Sequence, residues 1–187
     1  MNEVMANIRT RRSVRKFQSR MPSKAEIDMI VEAGIWAPSA RNTQPWHLTV
    51  IMGLDRIAAV TAELKAAVER MPENPYKAFV GNDAYTASYH APVFIIVSAD
   101  SEAAPLAAAD CALVLGNMFL AAHSLGIGSC WINQLGSACP DPGFRKMLTE
   151  LGVPEANQIF GCGAFGYAEG PAPLPPARKE HTVNYVE

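Results

Sequence analysis

The chain has 187 residues, of which 49% are hydrophobic and 18% charged, so it can form a sizeable core and a disordered chain is excluded. Its 16 basic and 18 acidic residues give a net charge of −2, which provides no overall field for nucleic acid or an anionic membrane. The length predicts one domain over residues 1–187, because domains average roughly 150 residues.

Apolar residues at helical spacing predict helices over residues 2–10, 54–70 and 105–125, and two more that begin at the caps Ser23 and Asp141. Short apolar runs predict four strands, over residues 46–52, 92–98, 127–133 and 158–167. Prolines predict a loop over 71–76 and an extended tail from position 171. Helices and strands that alternate in this way predict an α/β or α+β fold.

The segment from Cys111 to Pro140 carries no charged side chain, yet Asn117, His123 and several glycines interrupt it. A membrane-spanning helix needs about 20 predominantly apolar residues without such breaks. We therefore predict a central helix that is buried on all sides, followed by a buried strand, and no contact with a membrane.

Four cysteines, without a C-x-x-C pair, are spread over the second half of the chain: Cys111, Cys130, Cys139 and Cys162. This spacing argues against a zinc site or a disulfide framework. Reduced cysteines are the rule in the cytoplasm. The first residues also lack the basic-then-apolar order of a secretory signal, and both observations predict a cytoplasmic protein.

Seven of the sixteen basic residues lie between positions 9 and 24, where no acidic residue occurs. A solvated basic face is one interpretation. A nucleic-acid surface is disfavoured, because the rest of the chain offers no basic stripe. The third interpretation is a phosphate clamp, since arginine binds phosphate oxygens in a bidentate way and Ser13 adds a hydroxyl donor.

Residues 36–46, W-A-P-S-A-R-N-T-Q-P-W, place four polar side chains between two prolines and two tryptophans. The segment can be a capped turn, in which serine and asparagine bond their own backbone. Its length and rigidity favour a loop that recognises a polar heterocycle, because amides both donate and accept hydrogen bonds.

Other patterns exclude several activities. G-C-G-A-F-G at 161–166 fits G-x-G-x-x-G, but only a proline-rich tail follows it, so no helix N-terminus is there to bind a pyrophosphate. We expect these glycines to allow close packing instead. The four histidines are scattered and no hydrolytic motif occurs, so a cofactor is expected to carry any chemistry. The roles of Asp110 and His123 stay open.

The motifs together resemble the nitroreductase family of FMN-dependent oxidoreductases. The matching segments lie in order along the chain and are R-R-S-V-R-K-F at 11–17, A-P-S-A-R-N-T-Q-P-W at 37–46, A-P-V-F-I-I-V at 91–97, G-I-G-S-C-W-I at 126–132 and the terminal F-G-Y-A…P-P-A-R-K. The resemblance implies an α+β sandwich, built on a mixed, mostly antiparallel sheet flanked by helices. It also implies an intertwined homodimer with two flavins at the interface.

The same resemblance implies three groups of FMN contacts and no metal. Those expected at the phosphate and ribityl chain are Arg11, Arg12, Ser13 and Arg15, with Arg178 and Lys179 from the tail. Those expected to form the other subunit's wall against the isoalloxazine ring are Pro38, Ser39, Ala40, Asn42 and Gln44. Those expected beside the ring, where a backbone N–H can bond N5 or O4, are Trp131, Ile132, Asn133 and Gln134.

The implied activity is ping-pong transfer of hydride from NADH or NADPH to the flavin N5, and then to a small electrophile such as a nitroaromatic or quinone. A specialised flavin reaction (dehalogenation or desaturation) and a non-catalytic flavin- or phospholigand-binding protein are the alternatives. Asn133 and Gln134 stand where many relatives have small, glycine-like residues. Residues 71–90 match no pattern of the family, and the substrate stays unidentified because relatives select it with this region.

Overall fold

The computed structural model describes residues 1–171 and 173–187. The helices in these residues are α1 (Glu3–Thr10), α2 (Lys24–Ile35), α3 (Leu54–Arg70), α4 (Lys77–Val80), α5 (Ala107–Ser124), α6 (Gln134–Ala138) and α7 (Pro142–Glu150). The strands are β1 (Trp46–Met52), β2 (Val93–Ala99), β3 (Gly128–Ile132) and β4 (Gln158–Gly166). Ala172 lies outside the described residues, and the tail from position 173 onward has neither helix nor strand.

The four strands form one sheet in the order β1-β2-β4-β3, and each neighbouring pair is antiparallel. A parallel contact occurs at the isolated bridge between Ser13 and Ser129, beside the start of β3. All seven residues of the central strand β2 are buried, which explains its uninterrupted apolar sequence. The predicted mostly antiparallel sheet is confirmed.

Helices cover both faces of the sheet. Alternate side chains of β2 point to opposite faces: Phe94 lies in a cluster with α3 and α7, whereas Ile95 lies in a cluster with α2 and α5. The result is the predicted α+β sandwich, with one hydrophobic layer on each side of the sheet.

The caps predicted from the sequence begin their helices as expected. Ser23 and Glu26 form a complete capping box at α2. The Asp141 carboxylate accepts the Phe144 N–H at 2.9 Å and pairs with the Arg70 guanidinium at 2.7 Å. Both caps satisfy backbone donors that a helix N-terminus leaves without a partner.

The glycines of residues 161–166 lie inside β4, which confirms that they do not form a phosphate loop. A Cβ atom on Gly161 would lie 2.6 Å from Cζ2 of Trp131 and 2.8 Å from Cδ1 of Leu115. A Cβ atom on Gly166 would lie 2.7 Å from Cδ of Pro92. The pattern therefore serves close packing of the sheet against its neighbours, as predicted.

The prediction that the helix of residues 105–125 is buried on all sides is wrong for the single chain. One face of α5 packs in the core through Val114 and Met118, whereas Leu113 is 46% exposed and Gly116 is also exposed. By length and composition alone α5 could cross a membrane, but its inner face packs as that of a core helix does. Its outer face is apolar, and none of the described residues covers it.

Candidate functional site

The segment 11–17 lies against the edge strand β3. The Val14 N–H donates to the Ser129 carbonyl at 2.9 Å, and Ser13 forms the parallel bridge to the same residue. The Gln18 N–H then donates to the Tyr167 carbonyl at 2.9 Å. These backbone contacts hold the first predicted group, namely Arg11, Arg12, Ser13 and Arg15, at one end of the sheet.

The three arginines Arg11, Arg12 and Arg15, called here the arginine cluster, form no ion pair among the described residues. The ion pairs between described residues involve Lys24, Arg70 and Lys146 and none of the three arginines. The Nε–H of Arg12 is buried without a hydrogen-bond acceptor in the described part of the chain. A buried donor without an acceptor costs about 1–3 kcal/mol. An anion at the cluster would satisfy both the charge and the donor.

His123, at the end of α5, belongs to the same place. Its Nε2 lies 2.8 Å from the Thr10 hydroxyl, and it lines a cleft of about 200 Å³ together with Arg11 and Arg12. Burial and then the two positive charges lower the pKa of His123. Both effects favour the neutral imidazole, which offers a hydrogen bond rather than a charge.

The second predicted group lies in a loop whose backbone is strained. Three residues other than glycine adopt positive φ angles there: Arg41 (53°), Asn42 (56°) and Gln44 (47°). Such residues cost of order 1–3 kcal/mol each and cluster at ligand sites. The Gln44 N–H donates to the Ser39 hydroxyl at 2.9 Å, and the Gln44 side chain to Asn42 Oδ1 at 2.9 Å. The bond at Ser39 is what a capped turn provides, whereas the strained backbone is typical of a ligand loop.

The side chain of Asp110 anchors this loop to α5. Its side chain is buried in the first turn of α5 (4% exposed), and Oδ1 accepts the Ala40 N–H at 3.1 Å. The other carboxylate oxygen is buried without a partner among the described residues. Asp110 is buried and has no basic partner among the described residues, so its observed role is to anchor the backbone of the loop.

The third predicted group surrounds the end of β3. Trp131 is 38% exposed and packs edge-on against Phe119. The Ile132 side chain lies in the core (2% exposed), so only its backbone can face a ligand. The Asn133 N–H donates to Gln134 Oε1 at 3.2 Å.

The turn 71–76 is tied to this end of β3. The Asn133 amide donates to the Tyr76 hydroxyl at 3.3 Å, and the Asn74 amide donates to the Ser137 carbonyl at 3.1 Å. A stretch in which no pattern could be recognised therefore lies beside the third group.

Residues 77–90 add a wall that the sequence did not reveal. Phe79 and Tyr85 pack edge to face with ring centroids 6.0 Å apart, and with Arg15 and His90 they line a cleft of about 380 Å³. The density of aromatic residues between 76 and 89 is the signal that could have indicated this wall.

The structure does not bring all three groups together within one chain. Asp110, beneath the strained loop, and His123, beside the arginine cluster, lie thirteen residues apart on α5, which is about 20 Å at about 1.5 Å per residue. Ser129, in β3, and Asn133, directly after β3, are four residues apart, or about 13 Å in an extended chain. Arg178 and Lys179 are exposed in the tail, and no contact between them and the cluster occurs among the described residues.

The chain is thus an α+β protein in which helices cover an antiparallel sheet, and an arginine cluster without an ion-pair partner among the described residues lies at the edge of that sheet. The model of the nitroreductase family matches residues 8–167, and the chain belongs to that family. The resemblance recognised from its motifs is confirmed.

Three relatives illustrate the similarity. A nitroreductase from Bacteroides fragilis NCTC 9343, solved with bound FMN, is 38% identical over the full length of both chains, with a TM-score of 0.94. A nitroreductase with bound FMN from Desulfitobacterium hafniense DCB-2 is 30% identical over both full lengths, with a TM-score of 0.86. A protein from Methanothermobacter thermautotrophicus, which carries the inferred name NADH dehydrogenase/NAD(P)H nitroreductase, is 33% identical over 90% of this chain and 80% of its own.

Proposed function

We propose that the chain is a cytoplasmic FMN-dependent oxidoreductase that takes hydride from NADH or NADPH and reduces a small electrophile, such as a nitroaromatic or quinone. One observation carries the proposal: the arginine cluster contains a buried, unpartnered Nε–H on Arg12 and forms no ion pair among the described residues. The two FMN-bound relatives, which match this chain over its full length, support FMN as the anion that the arginine cluster binds. The inferred name of the archaeal relative supports a nicotinamide as the electron donor.

The FMN phosphate and ribityl chain are assigned to Arg11, Arg12, Ser13 and Arg15, with Arg178 and Lys179 closing over them from the tail. Bidentate arginine contacts suit a phosphate that carries nearly two negative charges. The backbone at Asn133 and Gln134 is assigned to the ring. The Asn133 N–H, which donates to Gln134 Oε1 in this structure, would be available to N5 or O4 of the ring and would stabilise the charge of its reduced form.

We further propose that residues 1–187 form a single domain that works as an intertwined homodimer. The loop 38–44 and the arginine cluster lie at opposite ends of α5, so one compact site that uses both is best built from two chains. The outer face of α5, with Leu113 and Gly116, is exposed and apolar, as is Trp36, which is 77% exposed. A two-fold interface would bury the outer face of α5 and Trp36, and it would bring the loop 38–44 of one chain to the arginine cluster of the other.

When bound, FMN would supply the redox chemistry, namely ping-pong transfer of a hydride from the nicotinamide to the acceptor. The protein's own residues bind and position. The arginine cluster fixes the phosphate end, the polar loop of the partner chain covers one side of the ring, and the aromatic wall of Phe79 and Tyr85 keeps water from the cleft beside Arg15. Positioning of reactants at about 3–3.5 Å is the expected main contribution to rate.

The proposal is tested with purified protein and added FMN. A yellow protein that is bleached by NADH or NADPH, and reoxidised by nitrobenzene or a quinone with parallel-line kinetics, would support it. A protein that takes up no FMN would overturn it. FMN binding without reduction by either nicotinamide would favour specialised flavin chemistry or a non-catalytic flavin carrier. Steep salt-dependent binding to oligonucleotides without a flavin spectrum would favour a general phospholigand binder.

A further inference from the structure

Arg41 stands out in the strained loop. It is the one charged side chain in residues 36–46 and adopts φ 53°, a conformation that a long side chain adopts at a cost. Arg41 is exposed, and it takes part in none of the ion pairs or side-chain hydrogen bonds between described residues. A guanidinium held in this way is available to an anion from outside the chain.

The conformation of Arg41 is imposed by its neighbours. Asp110 anchors Ala40, the residue before it, through the backbone N–H. The bonds among Ser39, Asn42 and Gln44 close the loop on the other side. Because the cost of a positive φ persists only where surrounding contacts enforce it, these contacts set the direction in which the Arg41 side chain leaves the loop.

We infer that Arg41 is a specificity-determining residue that binds an anionic oxygen group of the substrate, and that Asp110 is its positioning residue. The inference rests on the proposed function, in which loop 38–44 lies beside the flavin ring. The FMN phosphate already has the three side chains of the arginine cluster to bind it. Arg41 is therefore free to pair with a carboxylate on an aromatic acceptor or with a phosphate of the nicotinamide donor, both of which match the arginine fork.

The test compares 4-nitrobenzoate with nitrobenzene, which differ by one carboxylate. In R41Q we expect kcat/KM for 4-nitrobenzoate to fall about tenfold or more, since one charge-assisted contact is lost, and kcat/KM for nitrobenzene to stay within about twofold. R41K should recover part of the loss, because lysine keeps the charge but not the fork. R56Q, on the exposed surface of α3, is the matched control and should change neither value.

A second arm separates the two sources of the anion. Stopped-flow reduction by NADPH and NADH is measured for the same variants. A tenfold slower reduction by NADPH in R41Q, with NADH affected less, assigns the anion to the donor phosphate, whereas a loss confined to 4-nitrobenzoate assigns it to the acceptor. Either result supports the inference.

The role of Asp110 is tested by D110N, which keeps a side-chain oxygen for the Ala40 N–H, and D110A, which does not. We expect D110N to keep most of the preference for 4-nitrobenzoate over nitrobenzene, and D110A to lose it while still binding FMN. If R41Q reduces both acceptors with the wild-type ratio and keeps the wild-type rates with both nicotinamides, the inference is overturned and the proposed function stands. If the wild-type protein reduces neither acceptor, both are overturned.

Discussion

Replacing Arg15 with alanine is expected to weaken FMN binding far more than replacing Arg20. Arg15 lies in the segment that β3 holds at the sheet edge, and it lines the cleft formed with Phe79 and Tyr85. The loss of one hydrogen bond to a charged group costs about 1.5–3 kcal/mol. This cost corresponds to a dissociation constant higher by about 10- to 150-fold.

Arg20 is a suitable control because it has a structural contact of its own. Its guanidinium lies 4.2 Å from the centre of the Tyr167 ring, and the loss of such a contact costs about 0.5–1 kcal/mol of stability at an exposed site. The R20A variant should therefore be slightly less stable to unfolding than the wild type but bind FMN with the same affinity. The R15A variant should keep the wild-type stability and bind FMN more weakly.

The assay is a titration of FMN fluorescence quenching, repeated at two salt concentrations, with unfolding of the FMN-free proteins measured in parallel. R15A should also lose part of the salt dependence of FMN binding, because the contact that it removes is ionic. Small and equal effects of both substitutions on FMN affinity would refute the phosphate clamp and favour a solvated basic face.

Three further predictions concern packing, pH and assembly. Gly161→Ala should destabilise the fold by about 1–3 kcal/mol, since the added methyl overlaps the neighbouring indole ring; denaturant unfolding at the wild-type midpoint would contradict this. Hydrogen bonds from Arg70, and then the backbone at the start of α7, lower the pKa of Asp141 from 3.8 to about 2. The Asp141 carboxylate therefore contributes its full stabilisation above the pKa that it has in the unfolded chain. This contribution is lost as the pH falls through the lower pKa that it has in the folded protein. Asp141→Asn should remove this loss of stability at acid pH. An unchanged dependence of the free energy of unfolding on pH would contradict a role for the ion pair. Leu113→Glu should yield monomers that release FMN, whereas Leu54→Glu, on the exposed start of α3, should leave the dimer intact. Light scattering measures the assembly of each variant, and its flavin content measures the FMN that stays bound.

Local patterns in the sequence predicted much of the fold. The bounds of β1 and α3 agree with the prediction to the residue, because an apolar strand run and a strong helical periodicity each end at a glycine or a turn. The caps at Ser23 and Asp141 also formed as predicted. In each of these elements the information lies within about four residues of the position that it determines.

Features that depend on distant contacts could not be predicted in the same way. Apolar residues all round α5 suggested complete burial, but a single sequence does not distinguish a core face from a face that another chain covers. The anchoring of Ala40 by Asp110 joins residues 70 positions apart, and no periodicity encodes such a bond. For the same reason the sequence did not indicate that Phe79 and Tyr85 would lie beside Arg15.

The sequence motifs propose the residues of the candidate site but not their arrangement in space. The motif around Arg11 and the loop around Asn42 were both recognised, and each lies where a ligand can reach it. Their separation along α5 emerged only from the fold, because the number of residues between two motifs says little about their distance in space.

The central claim, that FMN binds between two chains, is tested most directly by subunit complementation. One chain carries Arg11→Ala with Arg15→Ala, the other Asn42→Ala with Gln44→Ala, and different affinity tags allow the mixed dimer to be purified. In a two-fold dimer with shared sites, one site of the mixed dimer receives both defects and the other receives none. We therefore expect one tightly bound FMN per mixed dimer and none in either parent dimer at the same FMN concentration. A mixed dimer that binds no more FMN than its parents would contradict the account.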